Sequence, residues 1–164
     1  MSQRNDIAQK IMSQQELQRQ VMAWKAAGEI VVFTNGCFDL LHFGHVDYLY
    51  RAADLGTKLV VALNTDASVS RLKGPHRPIQ TEASRGLVMA GLGCVDALCF
   101  FDEPTPLALI ESLLPQVLVK GADYSVDQIV GAREVIAAGG RVETVPISQG
   151  YSTSAIEMRI LQGR

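Results

Sequence analysis

Cysteine and histidine are both scarce in this chain, with three of each in 164 residues. Cys37, Cys94 and Cys99 are odd in number and lack paired spacing, which argues against a disulfide framework and against a zinc site. A reducing cytosol is therefore the expected setting. Excess charge is also small: the formal net charge is −2, which gives no electrostatic reason to expect nucleic acid or an anionic membrane as a main partner. No apolar run reaches the length of a membrane span. The opening residues, MSQRNDIAQK, have no apolar core of the kind a signal peptide needs. Low-complexity segments, internal repeats and linkers are missing as well. So are the two chief phosphate loops, GxxxxGK followed by Ser or Thr, and GxGxxG, so neither a P-loop enzyme nor a standard dinucleotide binder is expected.

What is present is apolar: hydrophobic residues make up 48% of the chain, enough for the core of one compact domain. Ser13 to Glu16 reads S-x-x-E, a capping box in which each side chain satisfies the other's free backbone N–H. Leu17, Val21 and Trp24 follow at helical spacing on one face, and Gly28 is a natural stop. A stripe of this kind has to be buried, on the domain's own core in the simpler reading or at a subunit interface in the other. The expected organisation is an N-terminal helix over residues 1–28 and a domain over 29–164.

Beyond it, β-branched apolar runs alternate with helical stretches. The expected strands are Ile30–Thr34, Leu59–Asn64, Val95–Phe101, Val117–Lys120 and Val142–Val145, near-continuous runs as in a parallel sheet covered on both faces. Helices are expected near Gly44–Leu55, Asp66–Leu72, Glu82–Leu92, Pro106–Leu113 and Val126–Ala138, with a last one over Thr153–Leu161 capped by Ser152 or Thr153. The pattern predicts a Rossmann-like, doubly wound α/β fold with a five-stranded parallel sheet in the order 3-2-1-4-5.

In such sheets ligands bind beyond the carboxyl ends of the strands, where strand order reverses. Asn35-Gly36-Cys37-Phe38-Asp39 follows the first strand and Lys120-Gly121-Ala122-Asp123-Tyr124 the fourth, so both should line one cleft. His42 and His45, three apart at a helix start, can project to one spot. Free N–H groups and the positive dipole end there suit phosphate, and Gly44 removes a side chain where it must come close. Two imidazoles could instead bind a metal, but a third ligand is wanted and the remaining histidine, His76, lies in a loop. Arg71, Lys73 and Arg77 form either a triphosphate-neutralising loop or a solvated basic one. Lys120 closes an apolar strand and precedes a glycine, which directs it to the cleft mouth. Asp123 could hold magnesium, bind a ribose hydroxyl or cap a helix. Ser152, Thr153 and Ser154 open the last helix, as phosphate contacts or as ordinary caps.

Asn35-Gly36-Cys37-Phe38-Asp39-Leu40-Leu41-His42-Phe43-Gly44-His45 resembles the signature of the cytidylyltransferase-like nucleotidylyltransferases, whose HxGH motif binds the triphosphate. The likeness continues through Arg71-Leu72-Lys73-Gly74 with Arg77-Pro78, then Lys120–Tyr124, then Ser152-Thr153-Ser154. Within that superfamily the chain most resembles the stand-alone bacterial D-glycero-β-D-manno-heptose 1-phosphate adenylyltransferases, which make ADP-heptose for lipopolysaccharide and related surface glycans. The resemblance implies ATP and a sugar 1-phosphate as substrates, magnesium accompanying the nucleotide, a cytoplasmic enzyme without nucleic-acid or membrane partners, and a homodimer as an assembly common among relatives. It implies catalytic roles for His42, His45, Lys73 and Lys120. Nucleotide contacts would come from Gly36, Cys37, Phe38, Gly44, Asp123, Ser152, Thr153 and Ser154. Substrate contacts would come from Asp39, Arg77 and Arg85, and the metal ligands are left open. Two departures stand out: Ser154 where relatives usually have threonine, and Ile147 where glycerol-3-phosphate cytidylyltransferases carry the arginine of an R-T-E-G stretch. The second disfavours CTP. The alternatives are a cytidylyltransferase for a polyol or amino-alcohol phosphate, a non-catalytic nucleotide-binding module, and a flavodoxin-like carrier, the last disfavoured because no flavin phosphate loop follows the first strand.

Overall fold

The computed structural model describes residues 3–122, 125–148 and 150–163. Five parallel strands form one sheet: β1 Val31–Gly36, β2 Lys58–Asn64, β3 Ala97–Phe101, β4 Val117–Gly121 and β5 Arg141–Val145. Their order is β3-β2-β1-β4-β5, the expected doubly wound arrangement. The helices are α1 Gln3–Ala8, α2 Gln14–Ala26, α3 Phe43–Ala53, α4 Asp66–Lys73, α5 Glu82–Ala90, α6 Leu107–Leu113, α7 Ala132–Ala137 and α8 Thr153–Leu161, with a 3-10 turn at Val126–Gln128. Most ends fall within two residues of the expected ones.

Strands β1 to β4 are largely buried on both faces, which is why they read as apolar runs, while the edge strand β5 is partly exposed. Val31 and Phe33 of β1 point into one core cluster, and Val32 points into the other. Pairing of β1 with β2 continues to Gly36 opposite Leu63, whereas pairing of β1 with β4 is recorded at Val32–Val117 and Phe33–Leu118. The two central strands therefore part toward their carboxyl ends. That parting, at the point where strand order reverses, opens the crevice that the fold uses for ligands.

The capping box forms as read: the Ser13 N–H donates to Glu16 at 2.8 Å and the Glu16 N–H donates to Ser13 Oγ at 3.2 Å. Leu17 and Val21 are fully buried in the same cluster as Val31 and Phe33, with Trp24 packed against it. The helix thus serves its own sheet, and the core runs across residue 28.

Two expectations need correction. The stretch Val126–Ala138 is not one helix: Gly131, at φ +83°, separates the 3-10 turn from α7. A Cβ at Gly131 would lie 2.7 Å from Ile110, so the chain bends there against α6. The third strand begins at Ala97 rather than Val95, because the Asp96 carboxylate accepts the Leu59 N–H at 2.8 Å. A further element was not legible at all. Residues 3–12 form α1 and then a short parallel extension beside β3, with the Leu98 N–H donating to the Lys10 carbonyl at 2.8 Å and the Met12 N–H donating to the Leu98 carbonyl at 2.9 Å. This covers an otherwise bare sheet edge.

Because Leu17 sits within the sheet's own core, Leu17→Ala should cost about 2–5 kcal/mol in denaturant unfolding. Deleting residues 1–28 should remove cooperative unfolding altogether. A truncated protein that unfolds at the full-length midpoint would show that α2 is dispensable to the core.

Candidate active site

A cleft of about 510 Å³ lies at the carboxyl ends of β1 and β4. Asn35 to Asp39 form one side, Lys120 and Gly121 another, and His42, Gly44 and His45 the floor. Lys73 reaches it from the end of α4, and Ser152, Thr153 and Ser154 close it from the start of α8. Segments more than a hundred residues apart in sequence thus converge, as the strand order requires.

The floor is built by the first turn of α3. His42 is its N-cap, so the Phe43 and Gly44 amides precede the first helical hydrogen bonds, which His45 and Val46 donate to the His42 carbonyl. The His42 and His45 rings stack, centroids 3.8 Å apart and planes 23° from parallel, and Phe38 meets His45 edge-on at 5.1 Å. A Cβ on Gly44 would lie 3.2 Å from both the His42 ring and Tyr151, so glycine lets the motif and α8 close up. Phe38 itself adopts φ 45°, a left-handed conformation disfavoured for an aromatic residue, and its ring fills the space a side chain on Gly36 would need.

Burial pushes His42 below its ordinary value. His45 falls to about 4, first through burial and then through repulsion from His42 and Lys73. The Leu40 backbone opposes that shift. Even so, among the described residues neither Nδ1 meets a partner in hydrogen-bond geometry, although both are buried. Both imidazoles are therefore neutral at pH 7 and available as donors. Burial also lowers Lys120 to about 8, leaving it mostly charged at neutral pH, and its ammonium donates to Asn35 Oδ1.

At the opposite wall, the Ser152 hydroxyl caps α8 by accepting the Ala155 N–H at 3.1 Å, so of the two expected caps Ser152 is the one used. Thr153 and Ser154 contribute amides and hydroxyls at a second helix N-terminus facing the first. Two such termini and two lysines around one crevice make an anion site.

Of the three residues grouped as substrate contacts, Asp39 lines the cleft, whereas Arg77 and Arg85 do not. Asp39 is buried, accepts the Ile79 and Gln80 N–H groups at 2.9 and 2.8 Å, and pairs with Arg77 Nε at 2.8 Å. Arg77 also reaches Glu157 of α8 at 3.0 Å, and it lies behind the cleft. Arg85 is completely enclosed and occupied: its guanidinium donates to the carbonyls of Cys37, Asn64 and Gln80 and to Asp66 at 2.7–3.1 Å. Four of its five N–H donors are spent tying these segments together. Arg71 pairs with Asp102 at the surface, 3.0 Å away. Asp123 lies outside the described residues. Tyr48, Asn64, Ile147 and Tyr151 line the cleft without having been singled out as contacts. Tyr48, three residues beyond His45 on the same helix face, and Asn64, at the carboxyl end of β2, each carried a local signal.

A family model described as cytidylyltransferase-like matches residues 33–159, from β1 into α8. The chain belongs to the cytidylyltransferase-like family of nucleotidyltransferases. The bifunctional protein HldE of Magnetococcus marinus is 55% identical over 151 residues, covering 92% of this chain and 31% of its own. HldE of Vibrio cholerae is 51% identical over 154 residues, covering 94% and 32%. The chain thus spans about a third of the length of these curated relatives. Among solved structures, the lipopolysaccharide core biosynthesis protein from Thermoplasma volcanium is 31% identical with a TM-score of 0.59, over 76% of this chain and 99% of that one. No described helix is long and apolar enough to cross a membrane.

Proton uptake tests the electrostatics directly. The His45 ring resonances should titrate with a midpoint near 4 in the free protein. Since His45 binds its proton more weakly folded than unfolded, its contribution to stability is fully present above about 6.5 and is lost as pH falls toward 4. A midpoint above 6 would mean the stacked pair is not desolvated.

Proposed function

We propose that this chain is an adenylyltransferase that transfers AMP from ATP to D-glycero-β-D-manno-heptose 1-phosphate, giving ADP-heptose and pyrophosphate. The observation that carries the reading is the stacked His42–His45 pair at one helix N-terminus, facing a second N-terminus across a crevice that holds two lysines. The sugar is carried by the motif resemblance, with which a structural relative that is a lipopolysaccharide core biosynthesis protein agrees.

An oxygen of the sugar phosphate attacks the α-phosphorus of ATP. A new P–O bond forms as the bond to the β-phosphate breaks, and the electron pair leaves on pyrophosphate. The nucleophile is already anionic at neutral pH, so no general base and no covalent enzyme intermediate are needed. The protein's work is orientation and charge stabilisation. His42 and His45, neutral before the nucleotide arrives, donate to phosphoryl oxygens as charge builds on them. The amides of Phe43 and Gly44, with those of Thr153 and Ser154, hold the triphosphate from two sides. Lys73 and Lys120 offset its charge and that of the incoming phosphate.

Magnesium would supply further neutralisation of the phosphates. No group of three His, Cys, Asp or Glu able to hold a metal occurs among the described residues, so no protein ligands are assigned to it. Ile147 lines the cleft and brings no donor to the position where the cytidylyltransferases carry arginine, which supports ATP over CTP. The reading places the reaction in the cytoplasm. It includes a homodimer, for which the exposed apolar residues Met158, Ile160 and Leu161 of α8 offer a surface, and mass measurement in solution decides that point.

His42→Ala and His45→Ala should each lower kcat about a hundredfold or more, the scale of one lost transition-state donor, with the thermal midpoint nearly unchanged. Full pyrophosphate release by either variant would make that histidine structural. Lys120 loses its proton as pH rises through about 8, so kcat/KM should fall on the alkaline side with a midpoint near that value. ATP should exceed CTP in kcat/KM by at least tenfold, and parity between the two would refute the adenylyl assignment.

A further inference from the structure

Resting on that reading, we propose that the organic part of the acceptor occupies a second, smaller hollow lined by Thr105 and Gln128, on the other side of Lys120 from the nucleotide cleft. The hollow measures about 200 Å³ and lies between the segment that follows β3 and the segment that follows β4. Pro104, Thr105 and Pro106 form one wall, and Gln128, Ile129 and Val130 the other. Lys120 is the single residue that lines both this hollow and the nucleotide cleft.

In-line displacement requires the attacking oxygen to approach the α-phosphorus from the face opposite the departing pyrophosphate. The acceptor's phosphate must therefore sit at the edge of the nucleotide cleft, beside a cation, and the rest of the acceptor must extend away from ATP. Lys120 meets the first condition. An ammonium group has three donors, and Asn35 accepts one of them, which leaves donors for phosphate oxygens. The hollow meets the second. It is smaller than the roughly 300–1,000 Å³ that drug-sized ligands occupy and suits one sugar ring. Its lining also alternates in the way a sugar needs: the exposed ring of Pro104 and the half-buried Val130 offer apolar surface to C–H faces, and the Thr105 hydroxyl and Gln128 amide offer donors and acceptors to hydroxyl groups.

The other hollow beside the motif does not meet these needs. It is bounded by Leu40, Leu41, Val88, Ile156 and Ile160, and the charged side chains at its rim, Asp39 and Arg85, are engaged internally. Its walls are mostly apolar, with Gln80 the one uncharged polar side chain among the lining residues, and it lacks the ammonium that a phosphate ester needs.

Thr105→Val and Gln128→Leu test the assignment, since both side chains are exposed and their replacement should leave the fold intact. Steady-state kinetics with ATP and heptose 1-phosphate should show KM for the sugar phosphate raised tenfold or more in at least one variant. KM for ATP should stay within twofold. Calorimetry with a non-hydrolysable ATP analogue should give the wild-type affinity. A sugar-phosphate KM unchanged in both variants, against an active wild type, would overturn this subsite and leave the adenylyltransferase reading standing. A wild type that releases no pyrophosphate with any sugar 1-phosphate would overturn both.

Discussion

The Arg85 guanidinium is cut off from solvent, and four segments on the β1–β2 side of the site are tied to it. A buried cation of this kind is tolerated only when each donor finds an acceptor, and removing a partner from such a group costs about 3–5 kcal/mol. Here the acceptors are the carbonyls of Cys37, Asn64 and Gln80 and the carboxylate of Asp66. These four belong to the loop after β1, the end of β2, the approach to α5 and the first turn of α4. The cation therefore sets how far apart the phosphate-facing segments stand. Asp39 and Arg77 extend the same framework: Asp39 gathers the Ile79 and Gln80 amides, and Arg77 links that knot to Glu157 of α8. Two layers of charge behind the cleft hold its two helix N-termini face to face.

This rigidity matters because the chemistry proposed for the cleft asks little else of the protein. A reaction whose nucleophile is already charged gains its rate from placement and from donors aimed where charge develops. Stacked imbidazoles kept neutral by burial can do that without repelling each other. Burial first, and then the repulsion of a second like charge on the ring stacked 3.8 Å away, makes His45 hold its proton weakly. Phe38, strained into a left-handed conformation beside them, is part of the same close fit.

Local order and chemistry were largely legible in the residues. The strands, most helices, the Ser13–Glu16 capping box and the strand order follow from periodicity and cap chemistry, which act over a few residues. The cleft-forming positions of Asn35 to Asp39, His42, His45, Lys120 and Ser152 to Ser154 also follow, because ligands in a doubly wound sheet collect at the strand ends. The split of the Val126–Ala138 helix was missed because it depends on Ile110 pressing on Gly131 from another element. The edge extension at Lys10–Met12 was missed because its segment has no strand pattern of its own and pairs only because β3 leaves an edge open.

By itself, the sequence determined most of the residues that line the cleft and the strand ends that deliver them, since both are set by short-range pattern. It could not determine what each charged side chain near the site does. Asp39, Arg77 and Arg85 have the composition of substrate ligands, and only tertiary packing decides that their partners are Ile79, Gln80, Glu157 and the backbone carbonyls. The reason is electrostatic. A charge is free to meet a ligand only if no nearer partner has claimed it, and the nearest partners come from elements up to eighty residues away in the chain.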